Sequence, residues 1–251
     1  MTLPSPRLFV FDFDGVLCDS TNECMVVAWN AWQRYIGGRR LRSSPDDFDA
    51  TYASAFAAIR PRVRGAGEYV LVQRALADGI EVASAQQFTD LACGRKEEMD
   101  SFAELFLEER RDLRSANPQA WLAMHPPFIS AVSFAAKAIE RNSFAIATLK
   151  DFDSVILLLD SWGVAHEGIQ VVARGQFETK LDVLDSFTRA AHLQRDEVVF
   201  VDDNCSHLIA PHLAGYQVFQ STWGNVLSEC LSTAKERGIR CLSEQDLEAW
   251  I

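Results

Sequence analysis

Short apolar runs that end in polar residues mark where we expect β-strands. Leu8 to Phe11 contains no polar residue and has high β-propensity, which is typical of a strand buried on both faces of a parallel sheet. Comparable runs follow at residues 143–148, 170–173, 198–201 and 217–219. Segments with helical periodicity separate these later runs. This alternation predicts an α/β fold, with helices on both faces of a parallel sheet.

The helices of this α/β part are predicted from capping residues and stop signals. Asp151 is placed to cap a helix that ends at Gly163, and Thr179-x-x-Asp182 has the pattern of a capping box at the start of another helix. Further helices are predicted over residues 128–140, before Gly215 and at the C-terminus.

The stretch after the first strand has only helical periodicity. Ser20-x-x-Glu23 has the form of a capping box, and the helix that it opens is expected to end at Gly37-Gly38. Three further helices are predicted over residues 46–59, 66–77 and 84–114, the last of them bent. We therefore expect two domains, a core of residues 1–19 and 124–251 and an all-helical insertion of residues 20–123.

Composition and charge narrow the class of protein. The 251 residues are 48% hydrophobic and 24% charged, as in an ordinary globular protein, and no apolar run approaches the roughly 18 residues that span a bilayer. A net charge of −11 argues against a nucleic-acid or anionic membrane partner. Residues 1–7 lack the apolar segment of a signal peptide, and the six cysteines form no C-x-x-C pair. We expect a cytoplasmic protein with free thiols, either a monomer or a homodimer.

The first strand ends in two carboxylates that can do chemistry. Asp12 and Asp14 follow the apolar run, and Gly15 allows the backbone to approach a ligand closely. In open α/β sheets, ligands bind outside the carboxyl ends of the strands, which is where these acids fall. The alternative is a polar strand end without chemistry.

Similar residues follow the other predicted strands. Thr148 ends the second strand, and Asp202 and Asp203 end the one at 198–201. Lys180 lies in the first turn of a helix, where the macrodipole disfavours a cation, so negative charges are expected nearby. Taken singly, the threonine can be a helix cap, the lysine a solvated side chain and the two acids a turn. Their shared position at the ends of successive core elements favours one site.

The charges indicate what such a site would hold. Four carboxylates repel one another by about 4 kcal/mol per pair at 4 Å in a partly buried site, and a single lysine does not offset that repulsion. Oxygen ligands of this kind suit Mg²⁺, which binds a few carboxylates together with substrate oxygens. Magnesium, a lysine, a hydroxyl and helix N-termini together describe a site for a phosphoryl group.

These motifs resemble those of a known superfamily. Asp12-x-Asp14-Gly15, Thr148, Lys180 and Asp202-Asp203 are similar, in order and spacing, to the four motifs of the haloacid dehalogenase superfamily. The resemblance is closest to its phosphoglycolate phosphatase and β-phosphoglucomutase branch. It implies a Rossmann-like, doubly wound core, with the helical insertion as a C1 cap domain.

The resemblance also implies catalytic roles. Asp12 would be the nucleophile that forms an aspartyl-phosphate, and Asp14 would protonate the leaving oxygen and then activate water. Thr148 would bind phosphoryl oxygens, and Lys180 would hold Asp12 and the phosphate. An acid at the position of Asp14 favours phosphate esters over carbon–halogen or carbon–phosphorus bonds as the group that is cleaved.

The same resemblance implies a metal site for Mg²⁺. Its ligands would be the Asp12 carboxylate, the main-chain carbonyl of Asp14 and the Asp203 carboxylate, with Asp202 assisting. The family often has an acid four residues after Asp203, and His207 stands there in this chain.

In addition to Thr148, four basic residues are candidates for binding the substrate. Lys150 matches a lysine of phosphoglycolate-phosphatase-like members, and an exposed lysine in a helix N-terminal turn is the alternative. Arg60, Arg62 and Arg64 form a basic, turn-rich loop in the insertion, where arginine suits an anionic substrate tail. A solvated loop is the alternative for these three.

The resulting expectation is a Mg²⁺-dependent phosphatase that acts on a small phosphorylated metabolite through an aspartyl-phosphate. One alternative is a phosphomutase of the β-phosphoglucomutase type, which uses the same two aspartates. Another is a non-catalytic member that binds a phosphorylated ligand, although none of the four motifs is broken.

Overall fold

The structure of the protein is a computed structural model, which describes residues 6–250. The first five residues of the predicted core segment 1–19, and Ile251, lie outside the described residues. The chain divides into two compact units. One contains the residues up to Asp19 and those from Pro127 onward, which we call the sheet unit, and the other is Ser20–Pro126, which we call the helical unit.

The helical unit contains six α-helices and no β-strand. The helices are α1 Thr21–Tyr35, α2 Ala50–Ile59, α3 Tyr69–Asp78, α4 Ala85–Ala92, α5 Lys96–Ala116 and α6 Pro118–Ala123, with single 3-10 turns at Pro45–Asp47, Arg60–Arg62 and Ala66–Glu68.

Two predicted helices of this unit are divided differently in the structure. The one expected over 84–114 is two helices, because the chain turns at Gly94, whose φ of +74° lies in the left-handed region. The one expected over 46–59 begins at Ala50, where the Asp49 carboxylate accepts a hydrogen bond from the Tyr52 amide at 2.9 Å.

The predicted capping box at Ser20 and Glu23 is wrong. Helix α1 does begin there, but the Ser20 side chain makes no capping hydrogen bond, and its hydroxyl accepts one from Arg60 at 3.0 Å. The Glu23 carboxylate accepts two hydrogen bonds from Arg110 of α5, at 2.6 and 2.9 Å. The side chains of Glu23 and Arg110 are almost fully buried. A forked guanidinium satisfies a buried carboxylate better than one backbone amide does.

The sheet unit is built on six parallel strands in the order β3-β2-β1-β4-β5-β6. They are β1 Leu8–Phe11, β2 Phe144–Ala147, β3 Gln170–Val172, β4 Val198–Asp202, β5 Gln217–Ser221 and β6 Arg240–Leu242. The helices of the unit are α7 Ile129–Glu140, α8 Phe152–Ser161, α9 Lys180–Ala190, α10 Cys205–Leu213, α11 Ser228–Glu236 and α12 Glu244–Glu248. The predicted α/β fold with a parallel, Rossmann-like sheet is confirmed.

Strand β6 was not expected, because only helices were predicted at the C-terminus. It is an edge strand of three residues, of which Leu242 alone is buried. So short and polar a segment carries neither the apolar run nor the alternation by which strands are predicted.

Strand β1 is apolar throughout because both of its faces are covered. Phe9 and Phe11 contact the Phe134 ring of α7, with centroids 4.9 and 5.4 Å apart. Leu8 and Val10 face the other side, where they join a buried cluster with residues of α9 and α10.

Within residues 6–250, no helix combines the length and apolar character needed to cross a bilayer.

The register of the sheet brings the strand ends level. Phe11 pairs with Ile146 of β2 and with Val201 of β4, so Asp12 lies beside the ends of both neighbouring strands. The chain extends from β1 to β2 and β3 on one side and continues through β4 on the other. The switch point of the sheet therefore lies at β1, where ligands bind in folds of this kind.

The buried ion pair between Glu23 and Arg110 leads to a stability prediction. Replacing Arg110 with Met leaves a buried carboxylate without its guanidinium, and we expect a loss of about 3–5 kcal/mol in the free energy of unfolding, measured by urea titration. Arg111→Met, an exposed neighbour on the same helix, is the matched control and should change stability little. The double variant Glu23→Gln/Arg110→Met should recover part of the loss, because neither charge is then unpaired. Equal stability of the Arg110 and Arg111 variants would contradict this role.

Candidate active site

Asp12 is held by two donors on one carboxylate oxygen. Its Oδ1 accepts a hydrogen bond from the Phe13 amide at 2.8 Å and lies 2.9 Å from the ammonium of Lys180. The side chain is 12% exposed, and burial raises the pKa of its carboxyl, against the opposing influence of Lys180. Both contacts leave Oδ2 as the oxygen that can attack or bind a cation.

Lys180 joins the carboxylates of two strands. Besides Asp12, its ammonium lies 3.6 Å from Asp202 and donates to the carbonyl of Ala147 at the end of β2. Burial opposes the charge of this lysine, but the surrounding carboxylates outweigh burial and raise its pKa. The carboxylates that we expected near this lysine are its neighbours.

The position of Lys180 follows from how α9 begins. Thr179 and Asp182 form a complete capping box, with each side chain bonded to the backbone of the other. The lysine is therefore the first residue of the helix, and it lies at the sheet edge in spite of the unfavourable macrodipole.

Asp202 is fully buried and has an unpredicted partner in His207. Its Oδ1 accepts from the Asn204 amide at 2.8 Å, and its Oδ2 lies 3.0 Å from Nδ1 of His207. Burial lowers the pKa of His207, but the facing carboxylate outweighs burial and raises it overall. Burial raises the pKa of Asp202, yet His207 and Lys180 together lower it below its ordinary value. His207 therefore faces Asp202 at the position where the superfamily that the motifs resemble often has an acid.

Asp203 lies against Gly15, a position where any side chain would be strained. A Cβ added to Gly15 would fall 1.9 Å from Oδ2 of Asp203, and the φ of Gly15, +83°, lies in the left-handed region. Gly224 closes the same contact, because a Cβ there would fall 2.0 Å from the Gly15 carbonyl. The Asp203 carbonyl accepts from the buried Gln220 side chain at 2.6 Å.

Gly224 and Gln220 were not predicted as residues of this site. Trp223-Gly224 resembles a surface loop of the superfamily, and the sequence offers no signal that this loop packs on Gly15. A buried glutamine at a strand end carries no recognisable motif either.

Asp14 is paired with its own lysine. The ammonium of Lys150 lies 3.0 and 3.4 Å from the two oxygens of Asp14. The Lys150 side chain is fully buried, whereas that of Asp14 is 21% exposed. The two acids therefore contact different cations, and Phe13 between them is fully buried and stacks on Trp162. Lys150 is therefore not an exposed lysine in a helix N-terminal turn, which was the alternative interpretation.

Thr148 lies buried where β2 meets the loop that carries Lys150. Its hydroxyl oxygen accepts from the Lys150 amide at 3.1 Å, while its own amide donates to Val172 of β3. It is not the cap of α8, because Asp151 fills that role and accepts from the Ser154 amide at 3.0 Å. The hydroxyl proton of Thr148 can still be donated to an anion.

The structure thus brings together seven of the predicted site residues in the sheet unit. Within it, Asp12, Asp202 and Lys180 are in direct contact, Asp14 pairs with Lys150, Thr148 bonds to the Lys150 amide, and Asp203 lies against Gly15.

The three candidate arginines belong to the helical unit and have partners within it. Arg60 is buried and donates to Ser20 at 3.0 Å. Arg62 donates to the carbonyls of Ala58 and Ala83, at 3.0 and 2.9 Å, and Arg64 forms an ion pair with Glu68 at 2.9 Å. Their binding of a substrate anion stays a prediction.

The side-chain oxygens at the carboxyl ends of the central strands fit a magnesium ion as ligands. Asp12, Asp202 and His207 present ligand atoms within 4.8 Å of one another. Of these, Asp202 and His207 are bound to each other, which leaves the Asp12 carboxylate, with Asp203 beside Gly15, as oxygen ligands for a hard cation. Burial and the neighbouring Asp202 raise the pKa of Asp12 in spite of Lys180, so a further positive charge would favour its ionised form.

Comparison with known proteins gives a fold but no sequence relative. No protein-family model matches the chain, and no curated protein matches its sequence. A proposed phosphoglycolate phosphatase from Lactobacillus delbrueckii subsp. bulgaricus is similar in structure, with a TM-score of 0.68, 16% identity and 99% of each chain covered.

Two further solved structures are similar. A predicted phosphoglycolate phosphatase from Haemophilus somnus has a TM-score of 0.63 at 15% identity, with 98% of both chains covered. A haloacid dehalogenase-like hydrolase family protein from Streptococcus pneumoniae has a TM-score of 0.60 at 14% identity, covering 97% of this chain and 96% of its own. The chain therefore has, over nearly its whole length, the fold of the haloacid dehalogenase-like hydrolases.

Proposed function

We propose that the protein is a Mg²⁺-dependent phosphomonoester hydrolase that acts on a small phosphorylated metabolite through an aspartyl-phosphate on Asp12. The observation that carries this proposal is the pairing of two acids, two residues apart, with two different lysines. Lys180 holds Asp12 at 2.9 Å and Lys150 holds Asp14 at 3.0 Å. A nucleophile and an acid–base group must act independently at one phosphorus atom, and separate cations support that division.

In the first step, Oδ2 of Asp12 attacks the phosphorus atom of the ester. The new bond joins Asp12 to the phosphoryl group, and the bond from phosphorus to the ester oxygen breaks. Asp14 gives its proton to the departing oxygen, so the product leaves as a neutral alcohol. Lys180 and the Phe13 amide keep Oδ1 of Asp12 in place throughout.

In the second step, a water molecule attacks the same phosphorus atom. Asp14, now ionised, takes a proton from this water, and the bond between Asp12 and phosphorus breaks. Inorganic phosphate leaves, and both aspartates return to their starting states. The Thr148 hydroxyl is placed to donate to a phosphoryl oxygen in either step, because its oxygen is fixed by the Lys150 amide.

Magnesium would be held by the carboxylates of Asp12 and Asp203 and the main-chain carbonyl of Asp14, with Asp202 assisting through its contacts to Lys180 and His207. When bound, it supplies positive charge that offsets the charge of the phosphoryl oxygens.

The remaining parts of the proposal concern the substrate and its surroundings. We propose that the helical unit is the cap domain, that Arg60, Arg62 and Arg64 favour an anionic substrate, and that the enzyme works in the cytoplasm. Two of the similar structures are described as phosphoglycolate phosphatases, so 2-phosphoglycolate belongs in the panel of substrates to be assayed.

The nucleophile and the metal are tested together. Asp12→Asn keeps the shape of the side chain but replaces the attacking carboxylate with an amide, and we expect kcat/KM to fall by more than about 10³-fold with unchanged circular dichroism. Wild-type activity should vanish in EDTA and return with added Mg²⁺. Phosphate release at the wild-type rate by the variant, or full activity after exhaustive chelation, would contradict the mechanism.

A phosphatase is distinguished from a phosphomutase by its products. Both form the aspartyl-phosphate, but a mutase passes the phosphoryl group back to a sugar. Phosphorus NMR of the protein with β-glucose 1-phosphate and a trace of glucose 1,6-bisphosphate should show inorganic phosphate and no 6-phosphate isomer. An isomer without free phosphate would establish the mutase instead.

The pairing of Lys150 with Asp14 is tested by a double-mutant cycle. If Lys150 holds the Asp14 carboxyl in position, Lys150→Met should lower kcat/KM for an alkyl phosphate by about 10–100-fold. General acid catalysis contributes roughly 10²–10⁴-fold, and the variant should lose part of that factor. A nitrophenyl phosphate, whose leaving group hardly needs a proton, should lose much less.

In an Asp14→Asn background, Lys150→Met should have almost no further effect on either substrate. Lys137→Met, which removes an exposed lysine of α7, is the control. Additive losses in the cycle, or equal losses on the two substrates, would show that Lys150 does not act through Asp14 and would favour direct contact with substrate.

A further inference from the structure

Two cysteine thiols from separate helices meet in the sheet unit. Cys205 is the first residue of α10, and Cys230 lies in the first turn of α11. The Cys205 thiol donates to the sulfur of Cys230 across 2.8 Å, although 25 positions separate the two residues in the chain. Both side chains are only partly buried, so a small reagent can reach them.

The distance between the two sulfurs is only slightly longer than that in a disulfide bond. The two sulfurs of a disulfide lie about 2.05 Å apart, so these thiols need to approach by roughly 0.8 Å. We propose that Cys205 and Cys230 form a reversible disulfide, which makes this pair a redox modification site of the protein.

The reaction is a thiol–disulfide exchange with a low-molecular-weight disulfide of the glutathione type. One cysteine sulfur, as its thiolate, attacks a sulfur of the small disulfide, which releases one small thiol and leaves a mixed disulfide. The second cysteine then attacks the protein sulfur of that mixed disulfide and releases the second small thiol. The two cysteines are oxidised by two electrons, and the small disulfide is reduced to two thiols.

The distance between the two thiols decides which cysteines pair. An exposed cysteine is attacked faster by the same reagent, but it forms an internal disulfide only where a second thiol lies within reach.

The bond would tie together two loops that meet at Gly15. Helix α10 follows directly after Asp203 and Asn204, and α11 follows the loop that contains Trp223 and Asn225. In this second loop, the Trp223 indole donates to the Val16 carbonyl at 3.0 Å, and the Asn225 amide donates to Asp19 at 3.3 Å. Closing a loop of this length restricts the unfolded chain, so the oxidised protein should be the more stable form.

The experiment uses the full chain, treated with oxidised glutathione and then with iodoacetamide. Labelled in denaturant, all six thiols react in the reduced protein. In the oxidised protein the thiols of Cys205 and Cys230 do not react, and peptide mapping should show a single cross-link between their two peptides, whereas glutathione on an exposed cysteine gives no cross-link. The melting temperature should rise by about 6–12 °C on oxidation and return after treatment with dithiothreitol.

Matched variants decide which cysteines are responsible. Cys205→Ser and Cys230→Ser should each abolish the cross-link and the rise in melting temperature. Cys93→Ser and Cys241→Ser, which replace exposed thiols elsewhere, should preserve both. Six labelled thiols after prolonged oxidation, a cross-link that involves other cysteines, or a melting temperature that falls on cross-linking would overturn the proposal. The wild-type mapping decides the matter even where a serine variant does not fold.

Discussion

The site depends on one buried ammonium, that of Lys180, which holds the carboxylates of two neighbouring strands in place. It lies 2.9 Å from Asp12 and 3.6 Å from Asp202. A buried carboxylate is costly unless an opposite charge and hydrogen bonds compensate for the lost water. Here the compensation is shared, because the Phe13 and Asn204 amides donate to the same two side chains. One lysine can serve both strands only because the strand ends are level.

That level edge is itself a consequence of the apolar sheet. Each residue of β1 is buried on one face or the other, so a shift in register would draw a flanking charged residue, Arg7 or Asp12, into the apolar interior. The register that buries Phe11 opposite Val201 also sets Asp12 beside Asp202. Hydrophobic burial thus fixes the distances between charges that would otherwise repel one another. The sheet edge is a place where like charges are kept together against their own repulsion.

How far the sequence could predict this arrangement depended on the range of each interaction. Local signals were reliable, as the capping box at Thr179 and the apolar run that ends in Asp12 show, since both are formed by residues a few positions apart. The capping box at Ser20 failed because the partner that Glu23 prefers, Arg110, lies 87 positions away. Gly224 was missed for the same reason, since only the folded chain brings it against Gly15. The contact of His207 with Asp202 is local, but neither a capping pattern nor a periodic pattern announces it.

The two lysines explain how neighbouring acids can have different tasks. Asp12 contacts Lys180 and is 12% exposed, whereas Asp14 contacts Lys150 and is 21% exposed. If one cation served both acids, protonation of one acid would shift the pKa of the other. A nucleophile that must stay ionised would then be coupled to a group that must gain and lose a proton. The two ion pairs avoid this coupling, because each acid has its own cation. Separate cations therefore keep the two halves of the proposed chemistry apart.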